Sequence, residues 1–336
     1  MNRVLKVVVS LVVAASLVAC TSTATSTQPE RAQQVLLLDN AEQVYLEWRD
    51  KLEDIESLSI YSPATLQSLN TLWARVESNY KEFDGKPERL HATSFFGSET
   101  YYSRFQADIS QIERLYDELM STQKAADIAL RPATEHLHYL DEIEAREYFR
   151  SEYDRLKRFY ERLYVIFDEQ GEAPALKQQK EFLIRARSLE VKTIKRIYIT
   201  PLEDISRELR RRDARSFVPE SFAAVDKAIA DAKNLIDDAP RAFELIDKAV
   251  NDISFQLAHA THMLEAVVHL RGLSRDSYEA YILDMEKHLL ALSMALNGKD
   301  YRNLDLVKQV ETILTDIREQ NAQIEALKKQ LEALQK

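Results

Sequence analysis

Cysteine is nearly absent from this chain, with Cys20 the only one in 336 residues. No disulfide framework can form within one chain and no thiolate cluster can hold zinc, so a folded body must rely on its core alone. Glycine is almost as scarce, with five residues at positions 85, 97, 171, 272 and 298, the closest pair twelve apart. A Walker A loop, a GxGxxG turn and a GxSxG elbow each need glycines within a few residues. P-loop, dinucleotide-binding and α/β-hydrolase chemistry are therefore excluded. Proline occurs only eight times. Both scarcities suit long helices, whose interiors either residue destabilises. Runs of strict apolar–polar alternation are missing too, so the fold class read here is all-α. The formal charge of −10 leaves no electrostatic basis for nucleic-acid binding.

The one long apolar run lies at the amino terminus. Arg3 and Lys6 precede an apolar stretch from Val7 to Leu17, broken only by Ser10 and Ser16. Its core is too short to cross a bilayer of about 30 Å as a permanent helix, which makes it a secretory signal. It ends in Leu17–Val18–Ala19–Cys20, which resembles the lipobox of bacterial lipoproteins. The resemblance implies cleavage before Cys20, diacylglycerol on its sulfur, and acylation, with palmitate as the expected chain, of the new amino terminus. Loss of Arg3 and Lys6 with the signal takes the charge from −10 to −12. Two or more acyl chains anchor durably, because each buried methylene contributes about 0.8 kcal/mol. Thr21 rather than aspartate follows the cysteine, a pattern that in enteric-type lipoproteins implies the outer membrane, on its periplasmic or surface face, rather than the inner one.

Five segments follow from the punctuation: a signal at 1–19, a tether at 20–34, a helical bundle at 35–216, helical hairpins at 217–299, and a C-terminal heptad helix at 300–336. The tether is rich in Thr, Ser, Gln and Ala with no apolar period. The architecture expected is an elongated antiparallel arrangement of bundle and hairpins. Ser62 before Pro63 reads as an N-cap and first helical residue, opening a helix to about Phe83. Asp84–Gly85–Lys86–Pro87 closes it, an aromatic loop with Phe95 and Phe96 follows, and Ser98 caps a helix to about Leu130. Pro132 starts a helix that runs to Gln170, about 55 Å at ~1.5 Å per residue, where Gly171 stops it. Tyr153, Phe159, Tyr160, Tyr164 and Phe167 read as core more than as a ligand groove. Val225–Ile229 and Ile246–Val250 echo each other, as two matching helices of a hairpin or by chance.

The C-terminal helix carries the clearest interaction signal. Leu306, Val310, Ile313, Ile317, Gln320, Ile324, Leu327, Leu331 and Leu334 alternate at spacings of four and three. Val310, Ile317 and Ile324 fall at heptad position a, and Ile313, Leu327 and Leu334 at d, compatible with a parallel dimer. The flanking Asp316, Asn321, Gln323, Lys328 and Gln330 encode little charge pairing. Either this helix packs on its own body or it joins a protein partner or a second copy.

Two side-chain groups invite a chemical reading. His259, His262 and His269 share a helical face at whole-turn separations, so they are weak candidates for metal ligands, although no HExxH or Glu-x-x-His motif accompanies them. His136 and His138 point to different faces and make a weaker case. The stretch 175–216 holds twelve basic against six acidic residues. Its densest part is Arg207, Arg210, Arg211, Arg212 and Arg215, either a contact for anionic lipid or an acidic partner, or an internal match to the acidic remainder. Carboxylate clusters such as Asp141, Glu142, Glu144 and Glu147 read as solvated helix faces.

Together these features suggest a lipid-anchored cell-envelope protein acting as scaffold, adaptor or accessory subunit, with no cofactor and no catalytic residues to assign. Two other readings stand beside it. One is a binding module for a cell-wall or lipid-like ligand, and the other a helical metal-dependent enzyme using the His259/His262/His269 face. Replacing Cys20 with serine is expected to abolish incorporation of labelled palmitate and to move the chain from the membrane to the soluble fraction. Retention of both label and membrane association would exclude the lipid anchor.

Overall fold

The computed structural model describes residues 27–93 and 97–334. Cys20 and the lipobox lie outside them, as do Phe95 and Phe96. Twelve α-helices follow one another among the described residues. They are α1 (Thr27–Leu52), α2 (Pro63–Phe83), α3 (Tyr101–Ala129), α4 (Arg131–Glu142), α5 (Ala145–Gln170), α6 (Glu172–Tyr198), α7 (Thr200–Arg211), α8 (Ala214–Phe217), α9 (Pro219–Asp238), α10 (Phe243–Gly272), α11 (Tyr278–Asn297) and α12 (Leu306–Leu334). Among the described residues no strand forms, and the one β-contact is a bridge between Thr93 and Thr100. The protein is all-α. No described helix is long and apolar enough to cross a membrane.

The chain divides into two compact units between Thr193 and Ile194, inside α6. In the first unit, α2 and α3 run antiparallel around a core of Leu69, Val76, Phe83, Phe105, Ile112 and Leu119. α1 lies on this pair through Trp48 and through Tyr45, whose ring stacks on Tyr80 at 4.2 Å. A second core, formed by α4, α5 and α6, centres on Leu140, Leu163, Phe182 and Leu189. Tyr61 links the two cores, donating to Asp127 at 2.8 Å and meeting the Tyr164 ring edge-on. Burial, helped by that bond, pushes its hydroxyl up to about 12. In the second unit, α9 and α10 pair around Phe222, Val225, Ile229, Ile253, Leu257 and Leu264.

Several expectations are met residue by residue. Ser62 accepts from the Thr65 N–H at 3.4 Å with Pro63 at the first helical position. Gly171 stops α5 with φ +89°. Tyr153 and Tyr164 are buried, Phe159, Tyr160 and Phe167 pack against the same core, and the Tyr160 and Tyr164 hydroxyls meet at 2.9 Å. The echoing pentapeptides sit on α9 and α10, the two arms of one hairpin, with Val225, Ile229 and Ile246 buried.

Other expectations are corrected. The single 55 Å helix from Pro132 to Gln170 is two antiparallel helices, α4 and α5, joined at Ile143–Glu144. Glu144 adopts a left-handed conformation, φ 53° and ψ 36°, which costs roughly 1 kcal/mol or more outside glycine. Burial of Leu140, Ala145, Tyr153 and Leu163 across the fold-back outweighs it. The helix after the aromatic loop is capped by Thr100, not Ser98, and begins at Tyr101. The tether expected over 20–34 is already helical from Thr27. Pro29 falls in the first turn, where proline is tolerated, and Glu30, Arg31, Ala32, Gln33 and Gln34 are good helix formers. The boundary expected at 216/217 lies earlier, because α7 and α8 pack on α9 and α10. Lys233 pairs with Glu203, and Arg271 covers the Phe217 ring at 4.4 Å.

Phe182 is fully buried at the meeting of α5 and α6, edge-on to Phe159. Phe182→Ala is expected to lower unfolding stability by about 3–5 kcal/mol, read from urea denaturation followed by circular dichroism. A loss below about 1 kcal/mol would show that this core is not packed as described.

Candidate functional site

Exposed large apolar residues are densest on α11 and α12, with a further group on α10 and scattered ones elsewhere. The sequence of α11 places Ile282, Met285, Leu289, Leu292 and Leu296 at alternating three- and four-residue spacing, one helical stripe. Ile282, Met285 and Leu292 are each about half exposed. Gly298 ends the helix in the left-handed conformation, φ 71°, as a cap glycine does.

From Gly298 the chain does not simply reverse into a hairpin. Gln309 of α12 donates to Glu286 at 3.2 Å, Asn297 donates to Asp316 at 2.6 Å, and Gln320 donates to the Leu296 carbonyl at 2.9 Å. Positions rise together along both helices, so α11 and α12 run in the same direction. The connector 298–305 returns alongside them, and its Tyr301 also donates to Asp316, at 2.5 Å. α11 stops at Asn297, level with Asp316–Gln320, while α12 continues to Leu334.

That arrangement divides the heptad seam. Ile313 and Gln309 are buried and Gln320 is half-buried, so α11 occupies the d side of α12 up to Gln320. The a side stays open at Val310 and Ile317, flanked by exposed Val307 and Leu314. Every residue of 321–334 is exposed, including Ile324, Leu327, Leu331 and Leu334. The first half of the C-terminal helix therefore packs on its own body, and the second half packs on nothing among the described residues. Between the two helices an open groove of about 540 Å³ is lined by Met285, Leu289, Leu306, Val307 and Val310 with almost no polar surface.

The other sequence candidates lie elsewhere. His259, His262 and His269 are all exposed on α10, and no group of three or more His, Cys, Asp or Glu side chains among the described residues converges as a metal would require. His259 stacks on Phe255, His262 lies 3.5 Å from Glu265, and His269 leans on Tyr281. The structure does not bring the three together. His138 is exposed beside Glu142, whereas His136 is turned inward onto Glu190 at 2.8 Å. The Glu190 side chain is 1% exposed, and a carboxylate at that depth needs such a partner.

The arginine-rich stretch is largely matched from within. Arg210 and Arg215 share Asp226 and flank the Phe222 ring, while Arg207 pairs with Asp204 and Arg211 with Glu208. Sequence reasoning passed over a different basic group. Arg155, Arg158 and Arg162 follow one face of α5 with no ion pair among the described residues, beside Arg185 and Phe159 in a groove of about 340 Å³. Their spacing of three and four was the available signal, diluted by Glu161 among them and by Glu152 and Asp154 just before.

Asp316 joins α11, the connector and α12. The Tyr301 hydroxyl above all, with the Asn297 amide and Lys299 ammonium, holds its carboxyl below the usual aspartate range. With the folded value below the unfolded one, the contribution is complete above the ordinary aspartate pKa of about 4 and is lost as pH falls through the lowered value. Amide protection over 298–320, taken relative to the intrinsic exchange rate at each pH, is therefore expected to be high at neutral pH and to fall in acid. Asp316→Ala should show low protection at both, and equal protection in variant and parent would show that Asp316 does not hold this joint. Compared with known proteins, the chain matches no protein-family model, no curated protein and no solved structure.

Proposed function

We propose that this protein is a lipid-tethered scaffold or adaptor of the bacterial cell envelope, placed at the outer membrane by Cys20 and docking its partners through α11 and α12. One observation carries the docking part. Large apolar side chains stand uncovered on α11, Ile282, Met285 and Leu292 among them, and along the whole of α12, whereas α2 and α9 bury theirs against neighbours. Contiguous apolar surface beyond a few hundred Å² marks a contact site, and covering it is favourable by about 25 cal/mol per Å². The anchoring part rests on the lipobox and on the lone cysteine within it.

No cluster of convergent polar groups lies on this face, which favours association over chemistry. The groove at Met285 and Val307 is of the size that takes a small apolar ligand, so the ligand-binding alternative attaches to the same residues.

A photocrosslinker at Met285 or Leu292, in full-length protein in its native membrane, is expected to capture a defined envelope protein. Met285→Glu with Leu292→Glu should reduce that capture at least ten-fold while thermal unfolding is unchanged, since both side chains are exposed. Capture unaffected by the double change, or no envelope protein captured, would reject the scaffold reading.

A further inference from the structure

Position a of the α12 heptad is exposed at every turn, through Val310, Ile317, Ile324 and Leu331. From Ile324 onward d is exposed as well, at Leu327 and Leu334, the last at 86%. We propose that the occupant of this seam is a second copy of α12, aligned in parallel and in register, so that the protein is a dimer. The inference rests on the docking role given to this helix and names its partner.

Four observations select a second copy. First, three of the four a residues are β-branched (Val310, Ile317, Ile324, with Leu331 the fourth) and both d residues beyond Gln320 are leucine (Leu327, Leu334), a layer pattern that favours two parallel strands. In a parallel pair each layer brings a residue against itself, so the fit needs no separately shaped partner.

Second, the edges of the seam suit self-pairing. Position g carries Gln309, Asp316, Gln323 and Gln330, and the e positions they meet carry Leu314, Asn321, Lys328 and Gln335. No like charges oppose one another, and a partner with charged edges would find almost no complement.

Third, the area is sufficient. Val307, Val310, Leu314, Ile317, Ile324, Leu327, Leu331 and Leu334 are between 37% and 86% exposed. They offer on the order of 800 Å² per chain, the amount each partner contributes to a stable interface.

Fourth, α11 already lies parallel to α12 on the d side and ends at Asn297. The seam that α11 leaves at Gln320 is the one a second α12 would continue. The a line drifts by about 20° per heptad on a straight helix, so the pair would coil left-handedly.

The test uses the full chain in its membrane, with single cysteines introduced at Leu327→Cys, Leu331→Cys and Lys329→Cys and mild oxidation. A parallel, in-register pair places Leu331 against Leu331 and Leu327 against Leu327, with Lys329 on the outer face. Both seam variants should give a reducible dimer at least ten-fold above Lys329→Cys, and the unaltered chain sets any background from Cys20. Ile324→Asp with Leu331→Asp should convert the purified dimer to monomer in sedimentation without changing helicity in the rest of the chain. Equal crosslinking at 327, 329 and 331, no dimer at any of them, or a monomer in the unaltered chain overturns the proposal. A monomer that still captures an envelope protein through Met285 rejects the dimer and leaves the scaffold reading standing. A crosslinked dimer that captures none does the reverse.

Discussion

A helix with an apolar stripe must lay that stripe on something, and this chain has only neighbouring helices to offer. No disulfide, sheet or glycine-built turn network shares the load. The antiparallel pairs α2–α3, α5–α6 and α9–α10 meet the constraint by folding back on the next segment in sequence. Their connections are short, so each pairing is local and closes at little entropic expense. The pattern ends at α11. Its successor does not fold back on it but returns to run beside it, and the residues from 321 to 334 have no neighbouring helix among the described residues.

Polar groups inside the body are placed with equal economy. Glu190 and His136 face each other between α6 and α4, and Asp108 on α3 takes the guanidinium of Arg75 and the amide of Asn79 from α2. Buried carboxyl groups such as those of Glu190 and Asp108 contribute little net stability, but each leaves a large penalty if its partner is misplaced. They reject alternative registers of helices that are otherwise paired by apolar contact alone.

Most of the helical architecture was legible because its signals are local. Ser62, Pro63 and Gly171 declare helix ends through their own backbone chemistry, and the aromatic residues of α5 declare a core by their spacing. The misreadings share one cause. Glu144 turns the chain with a side chain that has no turn preference, and only the packing of α4 on α5 explains why it does. For the arginines at 207–215 composition left open an anion contact or an internal match, and it is packing that sets Asp226 of the next helix against two of them. In the docking surface, the heptads announced the seam. Which side of it was already taken depended on the direction of α11, and no periodicity encodes that.

The connector 298–305 acts as a ruler. Because it runs backward along α11 before α12 begins, its length sets where α12 starts, and hence how much helix is left over when α11 ends. Each residue of offset moves the uncovered segment by about 1.5 Å and turns it by about 100°. A change of one or two residues in this loop would rotate the a line away from its facing direction without altering any residue of the seam. A change of seven would lengthen or shorten the free arm by two turns and nearly keep its face. Evolution of the free arm can therefore proceed in heptad steps through a loop that lies outside the seam.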